Sequence, residues 1–121
     1  MIPIIDLFAG PGGLGEGFMS LKDNEGKSVF DIKLSIEKDE NAHKTLMWRS
    51  FYRQFEKAEK PIPKEYYQAN QATKLAEREK LIEDTLDKYP EGKKAKKEAW
   101  LCELGNPKFP SQLIDARITE G

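Results

Sequence analysis

The first 47 residues alternate between strand-like and helix-like patterns. Positions 2–8 are apolar except for one proline and Asp6, which is typical of a strand buried on both faces of a parallel sheet. Residues 30–36 are apolar at every second position and predict a second strand. Helical spacing follows each strand, at 14–21 and again after Asp39, which we expect to cap its helix. This order predicts an α/β fold.

A helical pattern occupies most of the remaining chain. An aromatic stripe recurs at helical spacing and consists of Trp48, Phe51, Tyr52 and Phe55. Such a stripe predicts packing on the sheet or on later helices, rather than a ligand box or a base-stacking platform. A charged helix follows up to Leu86, and another helix is expected from about Lys93 to Leu104. We therefore expect residues 1–47 to form a strand–helix–strand–helix part and residues 48–112 a helical insertion.

The composition narrows the function classes. The 121 residues fit one small domain, and 34% of them are charged. A net charge of -1 gives no overall attraction to nucleic acid. No stretch is long and apolar enough for a membrane span or a signal peptide, so neither membrane association nor export is expected. The single cysteine, Cys102, and the single histidine, His43, predict no internal disulfide, no metal site and a cytoplasmic location.

Glycine is concentrated directly after the first predicted strand, in DLFAGPGGLGEGF. Gly10 to Gly15 match the dinucleotide fingerprint G-x-G-x-x-G, and the second strand ends in an acid, Glu37. The carboxyl ends of adjacent parallel strands lie side by side, so a nucleoside over the turn would place its ribose beside Glu37. Asp6 precedes the turn, and its charge favours the sulfonium and ammonium of S-adenosylmethionine over the pyrophosphate of NAD.

These residues also carry a resemblance to a known family. IDLFAGPGGLGEGF resembles the first signature motif of the DNA (cytosine-5) methyltransferases, and SIEKDENAHKTL resembles their second. The resemblance implies the amino-terminal part of a Rossmann-like, S-adenosylmethionine-dependent methyltransferase fold with a helical insertion. It also implies methyl transfer to carbon 5 of cytosine, DNA as the partner of the full-length enzyme, and a bacterial type of restriction–modification chemistry.

The resemblance assigns cofactor contacts residue by residue. It places Phe8 against the adenine or its sugar, and Glu37 on the ribose hydroxyls. Lys38 stands where family members often have an aromatic residue, and Asp6 would organise the loop or approach the amino-acid end. The complete set implied for the cofactor site is Asp6, Phe8, Ala9, Gly10, Pro11, Gly12, Gly13, Leu14, Ile36, Glu37 and Lys38.

The family's catalytic step has no matching residue in this sequence. Its cysteine nucleophile follows a proline, and no Pro-Cys pair occurs here. Cys102 is expected to be a buried core thiol in the middle of a helix, and His43 a surface or partly packed side chain. Asp115 is a weak match to the family's adenine-binding acid. The chain is therefore expected to be an inactive amino-terminal fragment, without the catalytic loop or the target-recognition domain.

Two alternatives remain open at this point. The chain could be a fragment of an NAD-type oxidoreductase, or a non-catalytic helical interaction module in which the glycine turn is only structural. A truncated sheet would leave the first strand with an open edge, so we expect self-association through that edge or the aromatic stripe, or marginal stability. The lysine-rich run GKKAKKEAW could touch phosphates, but the acids around it favour a solvated helix face.

Overall fold

The computed structural model describes residues 1–7, 9–103 and 111–120. In these ranges the chain is α/β, with three strands and six helices. None of the helices in these ranges is both long and apolar enough to cross a membrane. The elements in chain order are β1 (Ile2–Asp6), α1 (Gly13–Met19), β2 (Phe30–Glu37), α2 (Glu40–Lys57), α3 (Lys64–Gln71), α4 (Leu75–Lys88), α5 (Pro90–Glu98), β3 (Ala99–Leu101) and α6 (Ser111–Glu120).

The chain divides into two compact units. The sheet unit consists of Met1–Leu46 and Glu98–Gly121, and the helical unit consists of Met47–Lys97. The helix expected from Lys93 to Leu104 is wrong at both ends, because α5 already begins at Pro90 and β3 replaces its second half. The helical pattern therefore ends earlier than the 48–112 insertion expected from sequence, and the chain then returns to the sheet.

The sheet is parallel, with the order β1-β2-β3. The central strand, β2, is buried on both faces: Ile32 lies against Gly15 of α1, whereas Leu34 and Ile36 pack with Ile114 of α6. Its pairing with β1 shifts by one residue between Ile32 and Leu34. Its alternation of apolar and polar residues predicted a strand correctly. The polar residues Asp31 and Ser35 are buried as well, as expected for the central strand of a parallel sheet.

The first strand lies at an edge of the sheet and is more exposed than its sequence predicts. Within the described residues, β1 pairs only with β2. Ile2 is 53% exposed and Ile5 is 38% exposed, so the expectation of burial on both faces is wrong. The apolar run has the composition of a central strand in a parallel sheet, but in the described residues β1 lies at an edge and its side chains are partly exposed.

Helix α1 packs only partly through the apolar side that its sequence predicts. The helical spacing places Leu14, Phe18 and Leu21 on one side, but Leu14 is 68% exposed and Leu21 lies beyond the end of the helix. The half-buried Phe18 packs edge-on against Phe30 of β2, with ring centroids 5.1 Å apart. The buried residues are Gly15 and Met19. A Cβ on Gly15 would lie 2.8 Å from Ile32 Cδ1, so the missing side chain lets α1 approach β2 closely. The sequence context predicts that Gly15 and Gly17 both permit close helix packing; this is confirmed for Gly15 and wrong for Gly17, where a Cβ would meet open space.

The aromatic stripe forms the core of the helical unit. Trp48, Phe51 and Phe55 are at most 6% exposed, and the Trp48 ring stacks on Phe51 and on Tyr66, with centroids 5.2 and 4.8 Å apart. Packing against later helices is therefore confirmed, and only the half-buried Tyr52 leaves part of the stripe accessible for self-association. The prolines of EKPIPKEYY predict a connection, so α3 was missed; both prolines precede this helix, and Pro63 stands directly before its first turn.

A carboxylate joins the start of α3 to the end of α4. The Lys88 ammonium and the Tyr89 hydroxyl both donate to Glu65 Oε2, each at 2.7 Å. These two hydrogen bonds, with that from Lys88 as the stronger, lower the pKa of Glu65 from 4.5 to about 2. The ionised carboxylate is therefore the form that holds the two helices together.

We expect this contact to make the helical unit sensitive to acid. Because the pKa of Glu65 is lowered by folding, its stabilisation is present above pH 4.5 and disappears as the pH falls towards about 2. Urea unfolding should find wild type more stable than Glu65→Gln at pH 7, and this difference should shrink below pH 4.5. The exposed Glu77→Gln control should show no comparable change, and a difference for Glu65→Gln that is constant with pH would contradict the assignment.

Candidate functional site

The carboxyl ends of β1 and β2 lie side by side. Asp6, the last residue of β1, pairs with Ser35. Beyond the strand, the Ala9 N–H still donates to the Ile36 carbonyl at 3.0 Å, so the chain stays against β2 as it enters the glycine turn. The parallel register thus brings the turn to the end of the neighbouring strand, as the sequence predicts.

The glycines of the turn have a backbone that other residues rarely adopt. Gly10 has a φ of +56° and Gly12 a φ of +97°, both in the left-handed region. The Gly12 N–H donates to the Ala9 carbonyl at 3.1 Å, which closes the turn. The Gly12 carbonyl then accepts from the Glu16 N–H at 3.0 Å, and α1 begins without a side-chain cap. The left-handed backbone therefore explains why positions 10 and 12 are glycine, without any contact to a ligand.

Glu37 connects the glycine turn to the segment that follows β2. Its Oε1 accepts a hydrogen bond from the Gly10 N–H at 3.1 Å, and its Oε2 accepts one from the Asp39 N–H at 2.9 Å. Each carboxylate oxygen has two lone pairs, so each can accept a further hydrogen bond. The strand-end acid therefore stabilises the turn and can still bind hydroxyl groups of a ligand.

The other residues expected at the cofactor site fall into three groups. Ala9 and Gly12 are buried, and Gly10 is half-buried. Four of the expected residues are exposed: Pro11, Gly13, Leu14 and Lys38. The Ile36 side chain lies in the core with Leu34, so only its main chain faces the turn. Asp6 is half-buried and already has an interaction partner, and Phe8 lies outside the described residues.

The end of β3 lies beside the end of β2. The Cys102 N–H donates to the Glu37 carbonyl at 2.9 Å. Cys102 is 2% exposed, and burial raises the pKa of its thiol, so the expected core thiol is confirmed although it follows a strand rather than lying in a helix. Glu103 comes next and is exposed. Its position directly after a strand was not predicted, because the sequence predicted a helix from about Lys93 to Leu104.

The two other single residues considered from the sequence are Asp115 and His43. Asp115 is an exposed residue of α6 rather than the acid at a strand end. The half-buried His43 donates from Nε2 to the Ala99 carbonyl at 2.9 Å. This bond fixes the start of β3 against α2, which confirms the expected partly packed histidine.

The sheet unit is strongly acidic. It contains 12 acidic and seven basic side chains, a net charge of -5. Four of the acids lie in or next to the turn and the end of β2: Asp6, Glu16, Glu37 and Asp39. Such a field favours a ligand with positive groups and opposes a pyrophosphate.

Comparisons of the chain with protein-family models, with curated protein sequences and with solved structures found no significant match. The functional interpretation therefore rests on the motif residues and on their geometry.

Proposed function

We propose that this chain is the cofactor-binding part of an S-adenosylmethionine-dependent methyltransferase of the DNA (cytosine-5) type. The observation that carries the proposal is the 3.1 Å hydrogen bond between the Gly10 N–H and Glu37 Oε1. It brings together the glycine turn, which the motif resemblance assigns to the methionine portion, and Glu37, which the resemblance assigns to the ribose hydroxyls. The bare main chain and the remaining lone pairs of Glu37 fit such a ligand.

Each part of the turn has a defined role in this proposal. Glu37 accepts the ribose hydroxyls, and main-chain groups of residues 9–14 surround the methionine portion. Asp6 adds a negative charge near the turn, which favours the cationic groups of the ligand. When bound, S-adenosylmethionine supplies the methyl group. Cys102 has no catalytic role here, because its thiol is buried and its pKa is raised.

The sheet order supports the same proposal. Counted from the far edge, the strands follow the order 3-2-1, as in the first half of a doubly wound nucleotide-binding sheet. In such sheets the ligand binds beyond the carboxyl ends of the strands, next to the first strand. The glycine turn leaves β1 at that end.

Calorimetric titration distinguishes this proposal from its alternatives. We expect the chain to bind S-adenosylhomocysteine, which retains the ribose and the amino-acid end, and to give no binding heat with NAD. A fragment of an NAD-type oxidoreductase would show the opposite preference. A non-catalytic helical module would bind neither nucleotide, and either result would refute the proposal.

We also propose that the exposed edge of β1 makes the chain self-associate. An unpaired apolar edge offers free main-chain groups to another strand, and a charged side chain blocks such pairing. Light scattering should show a mass that rises with protein concentration, and Ile5→Lys should abolish the rise. Leu75→Lys, at an exposed apolar residue of α4, is the matched control and should leave it unchanged. A stable monomer at all concentrations would refute the proposal.

A further inference from the structure

The two units carry opposite net charge. The helical unit has 13 basic and nine acidic side chains, which is a net charge of +4. The sheet unit carries -5, and the two together give the overall charge of -1. A local basic surface is therefore present in a chain that has no overall attraction to polyanions.

Helix α5 concentrates this positive charge on one face. Its buried positions are Glu91, Gly92, Ala95 and Glu98. The remaining positions are exposed and consist of Pro90 at its start and four lysines, Lys93, Lys94, Lys96 and Lys97. We call these four residues the lysine face. The acidic residue in the first turn of the helix, Glu91, accepts a hydrogen bond from Lys60 at 3.0 Å on the buried side.

The lysine face is only partly neutralised. Lys96 forms an ion pair with Asp87 at 2.7 Å, and Lys97 has an interaction partner. Lys93 and Lys94 form no salt bridge within the described residues, although the charge of Lys94 also acts on the nearby Glu91 carboxylate. Lys93 lies three and four positions before Lys96 and Lys97, and like charges at these spacings destabilise a helix. A bound polyanion would relieve this repulsion.

We propose that the lysine face binds the phosphate backbone of duplex DNA. The choice of DNA rests on the proposed methyltransferase function, and the charge and exposure of α5 select the surface. Duplex is favoured over single-stranded DNA because single-strand binding uses exposed aromatic rings to stack bases. In this unit Trp48, Phe51 and Phe55 are buried instead, and Tyr67, at 49%, is a lone exposed aromatic residue rather than one of a row on which successive bases could stack. Lys93 and Lys94 supply sequence-independent phosphate contacts, while base recognition belongs elsewhere.

Fluorescence anisotropy with a labelled duplex tests this surface in the whole chain. The double variant Lys93→Gln, Lys94→Gln should bind at least about 5-fold more weakly at low salt, because it loses two phosphate contacts. The slope of log K against log salt should become shallower by about 1.8. The matched control is Lys22→Gln with Lys27→Gln, which removes the same charge from an exposed turn of the sheet unit. It should retain wild-type affinity.

Each other result of this experiment overturns the inference. Equal losses in the two double variants would mean that only net charge matters. Single-stranded DNA bound as tightly as duplex would exclude duplex recognition, and binding to phosphatidylserine vesicles without DNA binding would assign the lysine face to a membrane surface.

Titration of the lysine variant with S-adenosylhomocysteine separates this inference from the proposed function. Loss of DNA binding with intact binding of S-adenosylhomocysteine is the result that we expect. If wild type binds S-adenosylhomocysteine but no duplex, the lysine-face inference fails alone. If wild type binds duplex but not S-adenosylhomocysteine, the proposed function fails and the DNA-binding surface stands.

Discussion

Replacement of Gly92 by alanine should unfold the helical unit under conditions in which wild type is folded. A Cβ at this position would overlap the Leu86 carbonyl oxygen and lie 2.7 Å from Leu86 Cα. The obstacle is main chain of α4, so no side-chain rotation can relieve it. Overpacking of a close helix contact typically costs 1–3 kcal/mol, and we expect about 3 kcal/mol or more here. A compact domain has only about 5–15 kcal/mol in total.

The chain contains matched glycine controls. Gly17 lies inside α1, and its added Cβ meets no atom within 4 Å, so Gly17→Ala should be neutral or stabilise by about 0.5–1 kcal/mol. Gly15→Ala should lower the free energy of unfolding less than Gly92→Ala, because the added Cβ meets the movable end of the Ile32 side chain. The predicted order of stability is therefore Gly17→Ala, then Gly15→Ala, then Gly92→Ala.

The two tryptophans allow this effect to be assigned to one unit. Trp48 lies in the helical unit and Trp100 in the sheet unit. In a Trp100→Phe background, the fluorescence melting curve of Trp48 should shift down by more than about 10 °C in Gly92→Ala. An unchanged midpoint would show that α5 does not approach Leu86 as closely as the structure places it.

Substitution of Glu37 by glutamine should weaken binding of S-adenosylhomocysteine 10- to 100-fold. Hydrogen bonds to a charged group contribute about 1.5–3 kcal/mol, and 1.4 kcal/mol corresponds to a factor of ten. The amide removes the charge and turns one acceptor into a donor, so it cannot accept both ribose hydroxyls. It also weakens one of the bonds to Gly10 and Asp39 that now order the turn.

Calorimetry against a matched acid separates these effects. Glu25→Gln changes an exposed acid in the turn before β2 and should bind S-adenosylhomocysteine as wild type does. Thermal melting of Glu37→Gln without ligand measures the structural part, which should be small beside the loss of binding. Wild-type affinity in folded Glu37→Gln would remove Glu37 from the cofactor site.

The sequence predicted the parts of the fold in which local chemistry and packing agree. The alternation from Phe30 to Ile36 gave β2, and Asp39 caps α2 by accepting from the Asn41 N–H at 3.0 Å. The glycine turn and Glu37 were also placed correctly side by side, because parallel strands end at the same edge of a sheet. The pattern that predicts β2 and the cap lies within each segment, and the position of Glu37 follows from the geometry of parallel strands.

The errors fall where long-range packing decides the structure. The three residues of β3 follow a lysine-rich helix, and so short an apolar run has no periodicity that separates strand from helix. The rotation of α1 depends on the close approach of Gly15 to Ile32, which cannot be read from the spacing of Leu14 and Phe18. Edge exposure of β1 likewise depends on which neighbours it has.

The most direct test of the central claim is an amide NMR titration of the ¹⁵N-labelled chain with S-adenosylhomocysteine. The Gly10 and Asp39 amides both donate to the Glu37 carboxylate and report on any ligand that binds it. We predict that both signals shift on addition of S-adenosylhomocysteine and not of NAD, while the Gly92 amide of the helical unit stays in place. Unchanged Gly10 and Asp39 signals at saturating ligand would contradict a nucleoside site at this turn.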